Sequence, residues 1–293
     1  MPIKVYLSTL GRPVDPADAT ISVFDRGFLY GDSVYETLRS AGGRLVEWER
    51  HLGRLRRSAD GIGLTIPWDD AGLLEAVAAT IAASEEPEVQ VRMIVTRGLG
   101  DLNIDPRAAD APLLVILVRP LRIPGPEVYA RGLQVRIVDV RKTSQASLDP
   151  TLKTGNYLPS ILALRQAAEH AAEDAIMLGL DGAVAEAATS NVFMVQGGRL
   201  LTPSLRTGLL SGITRAVILE LAAELGIEVA QATITPDQLR AADEVFLTSS
   251  VRGPIAVTTL DGRAVGGGGI GPVTQRILDR YRDYLAAIAG ERR

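Results

Sequence analysis

Apolar residues recur along the chain with two spacings, and each spacing predicts a different kind of element. Runs that are β-branched or alternate in polarity predict strands at Ile3 to Leu7, Asp32 to Arg39, Val89 to Thr96 and Pro112 to Val118, with Gly42-Gly43 as a hairpin turn. Helical spacing marks Glu49 to Ile62 and Asp70 to Ser84 between them. Beyond residue 126 the alternation continues. Strands are predicted at Leu133 to Val140, Ala175 to Leu180 (turning at Asp181-Gly182), Val192 to Gln196 and Glu244 to Thr248. Leu200 is predicted to pair back on Val192 to Gln196 through Gly197-Gly198. Helices are predicted at Tyr157 to Ala172, at Thr214 to Leu225 with Gly226 as its C-terminal cap, and at Val273 to Ile288.

The stretch Arg119-Pro-Leu-Arg-Ile-Pro-Gly-Pro126 packs three prolines and a glycine into eight residues. Proline removes ladder donors and stiffens the backbone, so this is the best linker in the chain. The pattern therefore predicts a mixed α/β (α+β) protein of two lobes: a small N-terminal lobe over 1–118, a linker over 119–126, and a larger lobe over 127–293. There is no internal repeat. The run Gly266 to Gly269 reads as a turn before Pro272, because no strand, loop and lysine-bearing helix accompany it as a phosphate loop requires.

Composition removes several kinds of chemistry. The 293 residues include no cysteine and only His51 and His170, which excludes disulfides, thiolate chemistry and histidine-rich metal sites; no metal is expected. A net charge of −4 argues against a nucleic-acid surface. The N-terminus lacks the apolar core of a signal peptide, and the longest aliphatic run, Leu113 to Val118, is too short to span a bilayer. No membrane partner and a cytoplasmic location are the expectation.

Positive charge is almost always arginine. The 31 basic residues include only three lysines, Lys4, Lys142 and Lys153. A lysine amine can lose its proton and attack a carbonyl, whereas a guanidinium stays charged and is a poor nucleophile. Lys153, in Lys153-Thr-Gly-Asn-Tyr157 at a helix entry, is either such a nucleophile or a leftover surface lysine. Glu186 lies in the small, apolar stretch Val184-Ala-Glu-Ala-Ala-Thr-Ser-Asn191, where a buried carboxylate needs a cation or donor facing it; an exposed turn is the plainer alternative. Leu209-Leu-Ser-Gly-Ile-Thr-Arg215 opens a helix with small residues, which suits either anion binding or an ordinary cap. Phe246-Leu-Thr-Ser-Ser250 ends a strand in three hydroxyls suited to phosphate oxygens, although strand-end serines are common.

Taken in order, and preceded by Arg54 in His51-Leu-Gly-Arg-Leu55, these motifs resemble those of the class IV (fold type IV) pyridoxal-phosphate aminotransferases. That family includes branched-chain and D-amino-acid aminotransferases and aminodeoxychorismate lyase. The resemblance runs from about Phe24 to Ile277. It implies a two-lobed fold with pyridoxal 5'-phosphate between the lobes, and a homodimer. It implies Lys153 as the Schiff-base lysine and shuttling acid/base, and Glu186 as partner of the pyridine nitrogen. Arg54, the Ile213 and Thr214 amides and Ser250, with Ser249 beside it, would hold the phosphate. Leu210 would pack under the ring, Tyr157 would lie near the phenolic oxygen, and Ser190 and Asn191 would complete the cofactor set.

On substrate the resemblance divides. Tyr30-Gly-Asp-Ser-Val-Tyr-Glu-Thr-Leu-Arg39 is similar to the family's first substrate-lining block, which implies Tyr30, Tyr35, Thr37 and Arg39 as substrate residues, together with Val251. Arg39 and Arg92 stand where branched-chain enzymes carry arginines, and Arg92 is the candidate for the substrate carboxylate. The Arg-x-His pair of Bacillus-type D-amino-acid enzymes is absent from Leu99-Gly-Asp-Leu-Asn-Ile104. Ser190-Asn191, however, looks like the D-amino-acid members, and Thr37 matches a threonine of the lyase. The expectation is a ping-pong transaminase acting on amino acids and 2-oxo acids, with branched-chain or other apolar donors and room for D-amino acids or (R)-amines. A pyruvate-eliminating lyase and a cofactor carrier without turnover are the competing readings.

Overall fold

The computed structural model describes residues 3–109 and 111–290, and the chain divides into two compact units. The first comprises residues 1–122 together with 152–156 and 286–293, and the second comprises 123–151 and 157–285. A single cut near residue 120 does not describe this division, because the pentapeptide carrying Lys153 returns to the first unit.

The first unit contains β1 (Lys4–Leu7), β2 (Arg12–Val14), α1 (Arg26–Tyr30), β3 (Ser33–Ala41), β4 (Arg44–Leu45), α2 (Trp48–Gly61), α3 (Asp70–Ser84), β5 (Val89–Thr96) and β6 (Leu113–Pro120). The strands form one antiparallel sheet in the order β2-β1-β6-β5-β3-β4. Leu52, Leu55 and Ala59 make an apolar stripe on α2 that packs with Val34 and Leu38 of β3, Leu73 and Val77 of α3, and Val91, Met93 and Ile116 of the neighbouring strands. Burying each of the leucine, valine, isoleucine and methionine side chains contributes about 1.5–3 kcal/mol.

Strand alternation sends residues 34, 36 and 38 to the helix side, so Glu36 enters this core between two aliphatic neighbours. It is fully buried, and His51 and Arg54, one helical turn apart on α2, are buried with it. The Arg54 guanidinium meets the carboxylate side-on, Nε donating to Oε1 at 2.7 Å and Nη2 to Oε2 at 2.8 Å, and His51 Nδ1 lies 2.7 Å from Oε2. Burial opposes the charged carboxylate, but the Arg54 charge and hydrogen bonds outweigh it and hold Glu36 at about 2. Burial also pushes the His51 imidazole below its usual range, against the pull of Glu36.

The second unit contains α4 (Pro126–Arg131), β7 (Leu133–Arg141), α5 (Leu158–Ala168), β8 (Asp174–Leu178), β9 (Val184–Ala187), β10 (Asn191–Gln196), β11 (Arg199–Pro203), α6 (Ile213–Glu224), β12 (Val229–Ala232), α7 (Pro236–Arg240), β13 (Glu244–Ser249), β14 (Gly253–Leu260), β15 (Arg263–Ala264) and α8 (Pro272–Ala289), whose last residues belong to the first unit. Its nine strands form a mixed sheet in the order β12-β11-β10-β13-β14-β7-β8-β9, with β15 on β14. One face buries Val192, Met194, Leu247 and Ile255. The other buries Phe193, stacked on Phe246 with centroids 4.9 Å apart, against Val217 and Leu221 of α6 and Ile277 of α8. Helix α5 stops at residue 168, four short of the predicted end, where a turn carries Ala171 at φ 57°. No helix among the described residues is long and apolar enough to cross a membrane.

The Glu36 cluster sets a direction for acid stability. Glu36 has a native pKa below its ordinary 4.5, so its contribution is complete above that value and is lost as pH falls toward about 2. His51 is likewise depressed, so unfolding takes up a proton as pH falls through about 6.5, and that contribution is lost in the same direction. Thermal unfolding followed by circular dichroism from pH 8 to pH 3 is expected to show the wild type well above Glu36→Gln at neutral pH. The gap should narrow on acidification; a gap constant with pH would contradict this account.

Candidate active site

Lys153 has no regular element of its own, yet its main chain is held on both sides. Its N–H donates to Ser58 Oγ of α2 at 3.0 Å, and its carbonyl accepts from the Tyr35 N–H of β3 at 3.0 Å. Thr154 bridges Val34, and the Gly155 N–H donates to the Ser33 carbonyl at 2.9 Å. A side chain at Gly155 would place Cβ 2.4 Å from Ser33 Oγ, so glycine is what lets the segment lie this close to β3. The pentapeptide thus extends the first unit's sheet by a short strand-like stretch.

Residues 35, 37 and 39 occupy the face of β3 opposite Glu36. The Lys153 ammonium lies 4.5 Å from the centre of the Tyr35 ring, and the Arg92 guanidinium lies 4.9 Å from the same ring. Register places Thr37 directly across from Arg92, whose Nε donates to Thr37 Oγ1 at 3.3 Å. Four expected residues, Lys153, Tyr35, Thr37 and Arg92, therefore meet on one surface. Each cation gains from the negative face of the ring. Arg39 donates from Nε to the neighbouring Ser40 carbonyl at 3.0 Å. Tyr30 is half exposed at the end of α1, and its hydroxyl donates to the Leu102 carbonyl at 2.9 Å, which ties it to the loop before residue 106.

In the second unit Glu186 sits on β9, buried as the small residues around it predict. Lys142 Nζ pairs with its Oε1 at 2.7 Å. Its Oε2 accepts from Asn191 Nδ2 at 3.2 Å and from the Leu210 N–H at 3.1 Å. Asn191 also donates to the Leu210 carbonyl at 3.0 Å, so Glu186, Asn191 and Leu210 form one closed network. Gly212 is required beside it, because a Cβ there would fall 1.8 Å from Asn191 Oδ1.

Gly212 is also the N-cap of α6, and no side chain caps that helix start. Ile213 and Thr214, both buried, form its first turn, where amide N–H groups point outward as an anion requires. Ser249 ends β13 and Ser250 follows it in a turn; the buried hydroxyl of Thr248 before them has no hydrogen-bond partner among the described residues. Ser190 Oγ accepts from Arg252 Nη2 at 2.8 Å, and the same guanidinium pairs with the buried Asp174 carboxylate, which tethers the loop containing Val251. Tyr157 is the residue preceding the first turn of α5.

Glu36, His51, Ser58 and Lys142 did not figure among the sequence candidates. Helical spacing signalled two of them: His51, Arg54 and Ser58 follow the i, i+3, i+7 spacing of one helix face, beside the apolar stripe Leu52, Leu55, Ala59. Lys142 carried the same scarcity signal as Lys153. No group of three or more histidines and acidic residues suited to a metal exists among the described residues.

Comparison with known proteins gives the family and the fold. The family model for amino-transferase class IV matches residues 33–260. The chain is 33% identical over 281 residues to the D-alanine aminotransferase of Listeria monocytogenes, covering 95% of each. The crystal structure of the branched-chain aminotransferase of Thermoproteus uzoniensis with norvaline superposes with a TM-score of 0.89 at 31% identity, over 98% of this chain and 95% of that one. The branched-chain amino acid aminotransferase of Escherichia coli gives 0.92 at 28% identity, over 99% and 96%. With its lysine clamp, its braced carboxylate and these relatives, the chain belongs to the class IV aminotransferase family.

Proposed function

We propose that this protein is a pyridoxal-phosphate transaminase that moves the amino group of a branched-chain or other apolar amino acid to a 2-oxo acid in two ping-pong half-reactions. The meeting of Lys153, Arg92 and Thr37 at the Tyr35 ring carries the reading. It sets an amine suited to bond a carbonyl carbon beside a cation suited to a carboxylate, as the two ends of an α-amino acid demand. The similarity to both branched-chain and D-alanine enzymes supports donors of either hand, D-amino acids and (R)-amines among them.

The residues present fit the cofactor. Glu186 is an acceptor fixed by three donors and suits a protonated ring nitrogen. The uncapped start of α6, Ser249, Ser250 and Arg54 suit a phosphate dianion. When bound, pyridoxal phosphate supplies an electron sink for the pair left as Cα–H breaks. Lys153 Nζ would hold the cofactor's carbonyl carbon, give it up to the substrate amine, and then carry the Cα proton to that same cofactor carbon. Glu186 would keep the ring nitrogen protonated, Leu210 would pack under the ring, and Tyr157 would lie near its phenolic oxygen. Ser190 and Asn191 act by holding Arg252 and Glu186. Arg92 orients the carboxylate, while Tyr30, Arg39 and Val251 complete the substrate lining.

A homodimer accords with the large apolar side chains that the first unit leaves in water, among them Phe28, Leu102 and Ile104, and with Leu158 and Ile161 on α5.

Lys153→Ala is expected to cut transamination by about a thousandfold or more, and borohydride reduction of the wild type should leave the pyridoxyl group on Lys153 by peptide mapping. A pyridoxyl group found on Lys142 instead would reject the assignment. Glu186→Ala should slow the half-reaction with L-leucine or D-alanine in stopped-flow absorbance, and an unchanged rate would remove its role. Arg92→Ala should raise KM for amino acids about tenfold or more while leaving that for (R)-1-phenylethylamine nearly unchanged. Equal rises for both donors would place carboxylate recognition elsewhere.

A further inference from the structure

Burying Glu36 and Arg54 together carries a desolvation cost, and buried ion pairs of this kind are often no more stabilising than a well-packed apolar pair of the same volume. Arg54 has a stated role, the phosphate, but Glu36 opposes that role electrostatically, because its negative charge cancels the guanidinium that should attract a dianion. What Glu36 does supply is orientation. The side-on pairing engages Nε and Nη2 with the two carboxylate oxygens at 2.7 and 2.8 Å, which fixes both the plane of the guanidinium and its rotation within that plane. His51, at 2.7 Å from Oε2, braces the carboxylate in turn. Glu36 consumes two of the five guanidinium N–H donors, and the pairing determines where the remainder of the fork points.

The same strand sets the position of the lysine. Tyr35 gives its main-chain N–H to the Lys153 carbonyl, and the next residue, Glu36, holds Arg54 from the other face of β3. Helix α2 repeats the arrangement, since Arg54 and Ser58 lie one turn apart and Ser58 Oγ accepts from the Lys153 N–H. Amine and guanidinium are therefore referenced to two neighbouring residues of one strand and two turns of one helix, as the carbonyl carbon and phosphate of a single ligand require. We propose that Glu36 is a positioning residue that acts through Arg54 to give the site its preference for the phosphorylated over the unphosphorylated cofactor. This rests on the assignment of Arg54 to the phosphate.

The test is titration of apoenzyme with pyridoxal 5'-phosphate and, separately, with pyridoxal, followed by tryptophan fluorescence. The ratio of the two dissociation constants isolates the phosphate, because both ligands bond the same lysine. Glu36→Gln, which keeps the volume, is expected to weaken pyridoxal phosphate by about tenfold or more and pyridoxal by less than about threefold. In an Arg54→Gln background it should leave the ratio unchanged. Tighter binding of pyridoxal phosphate by Glu36→Gln would show that the carboxylate acts only by charge, and equal weakening of both ligands would show a purely structural role; either overturns the proposal. Should Glu36→Gln fail to fold, His51→Gln removes only the brace and is expected to lower the same ratio by a smaller factor, with no change counting against the proposal. Arg54→Gln alone separates the two assignments: an unaltered ratio there would fail the phosphate role itself, whereas an altered ratio there with none in Glu36→Gln would fail Glu36 alone.

Discussion

A carboxylate taken out of water has to be met by donors, and two such carboxylates organise this protein. Glu36 in the first unit is met by Arg54 and His51, and Glu186 in the second by Lys142, Asn191 and the Leu210 amide. Each draws segments distant in sequence to one point, because no local partner could satisfy it. Glu36 ties α2 to β3. Glu186 ties β9, the start of β10, the loop after β7 and the approach to α6. Those ties include the strand and helix that flank Lys153 and the segment leading into α6.

The first of these ties bears directly on the lysine. In the role proposed for it, Lys153 would release its carbonyl partner and still remain within reach of it, which asks its main chain to stay put while its side chain moves. Both main-chain groups of Lys153 are hydrogen-bonded, one to each of the elements that Glu36 joins. The amine meanwhile rests against an aromatic face, an attraction that holds an ammonium less tightly than a buried carboxylate would. Arg92 shares that ring, so one strand pair in register brings both cations to the same aromatic face.

The reading of the chain as alternating elements reached most of the long strands and helices because their apolar spacing is strong: α2, α3, β5, β6, α6 and α8 all lie within a few residues of their predicted limits. It passed over β14, although that strand is central between β13 and β7. Gly253-Pro254 at its start reads as a turn, and the proline is accommodated only because it stands at the strand's beginning. It ran α5 too far, since nothing in an alanine-rich stretch announces the turn at Ala171.

Residue type made three lysines and a lone carboxylate among alanines conspicuous but left a plainer alternative open for each; it was the order of the motifs, and their resemblance to the class IV aminotransferases, that singled out Lys153 and Glu186. Strand and helix periodicity likewise determined which face of β3 carries Tyr35 and Thr37. Only the tertiary structure decided the partners: that Arg54 is shared with Glu36, that Lys142 braces Glu186, and that the lysine pentapeptide joins the N-terminal sheet. Pairing across long stretches of chain depends on register and distance in three dimensions, and periodicity carries no information about either.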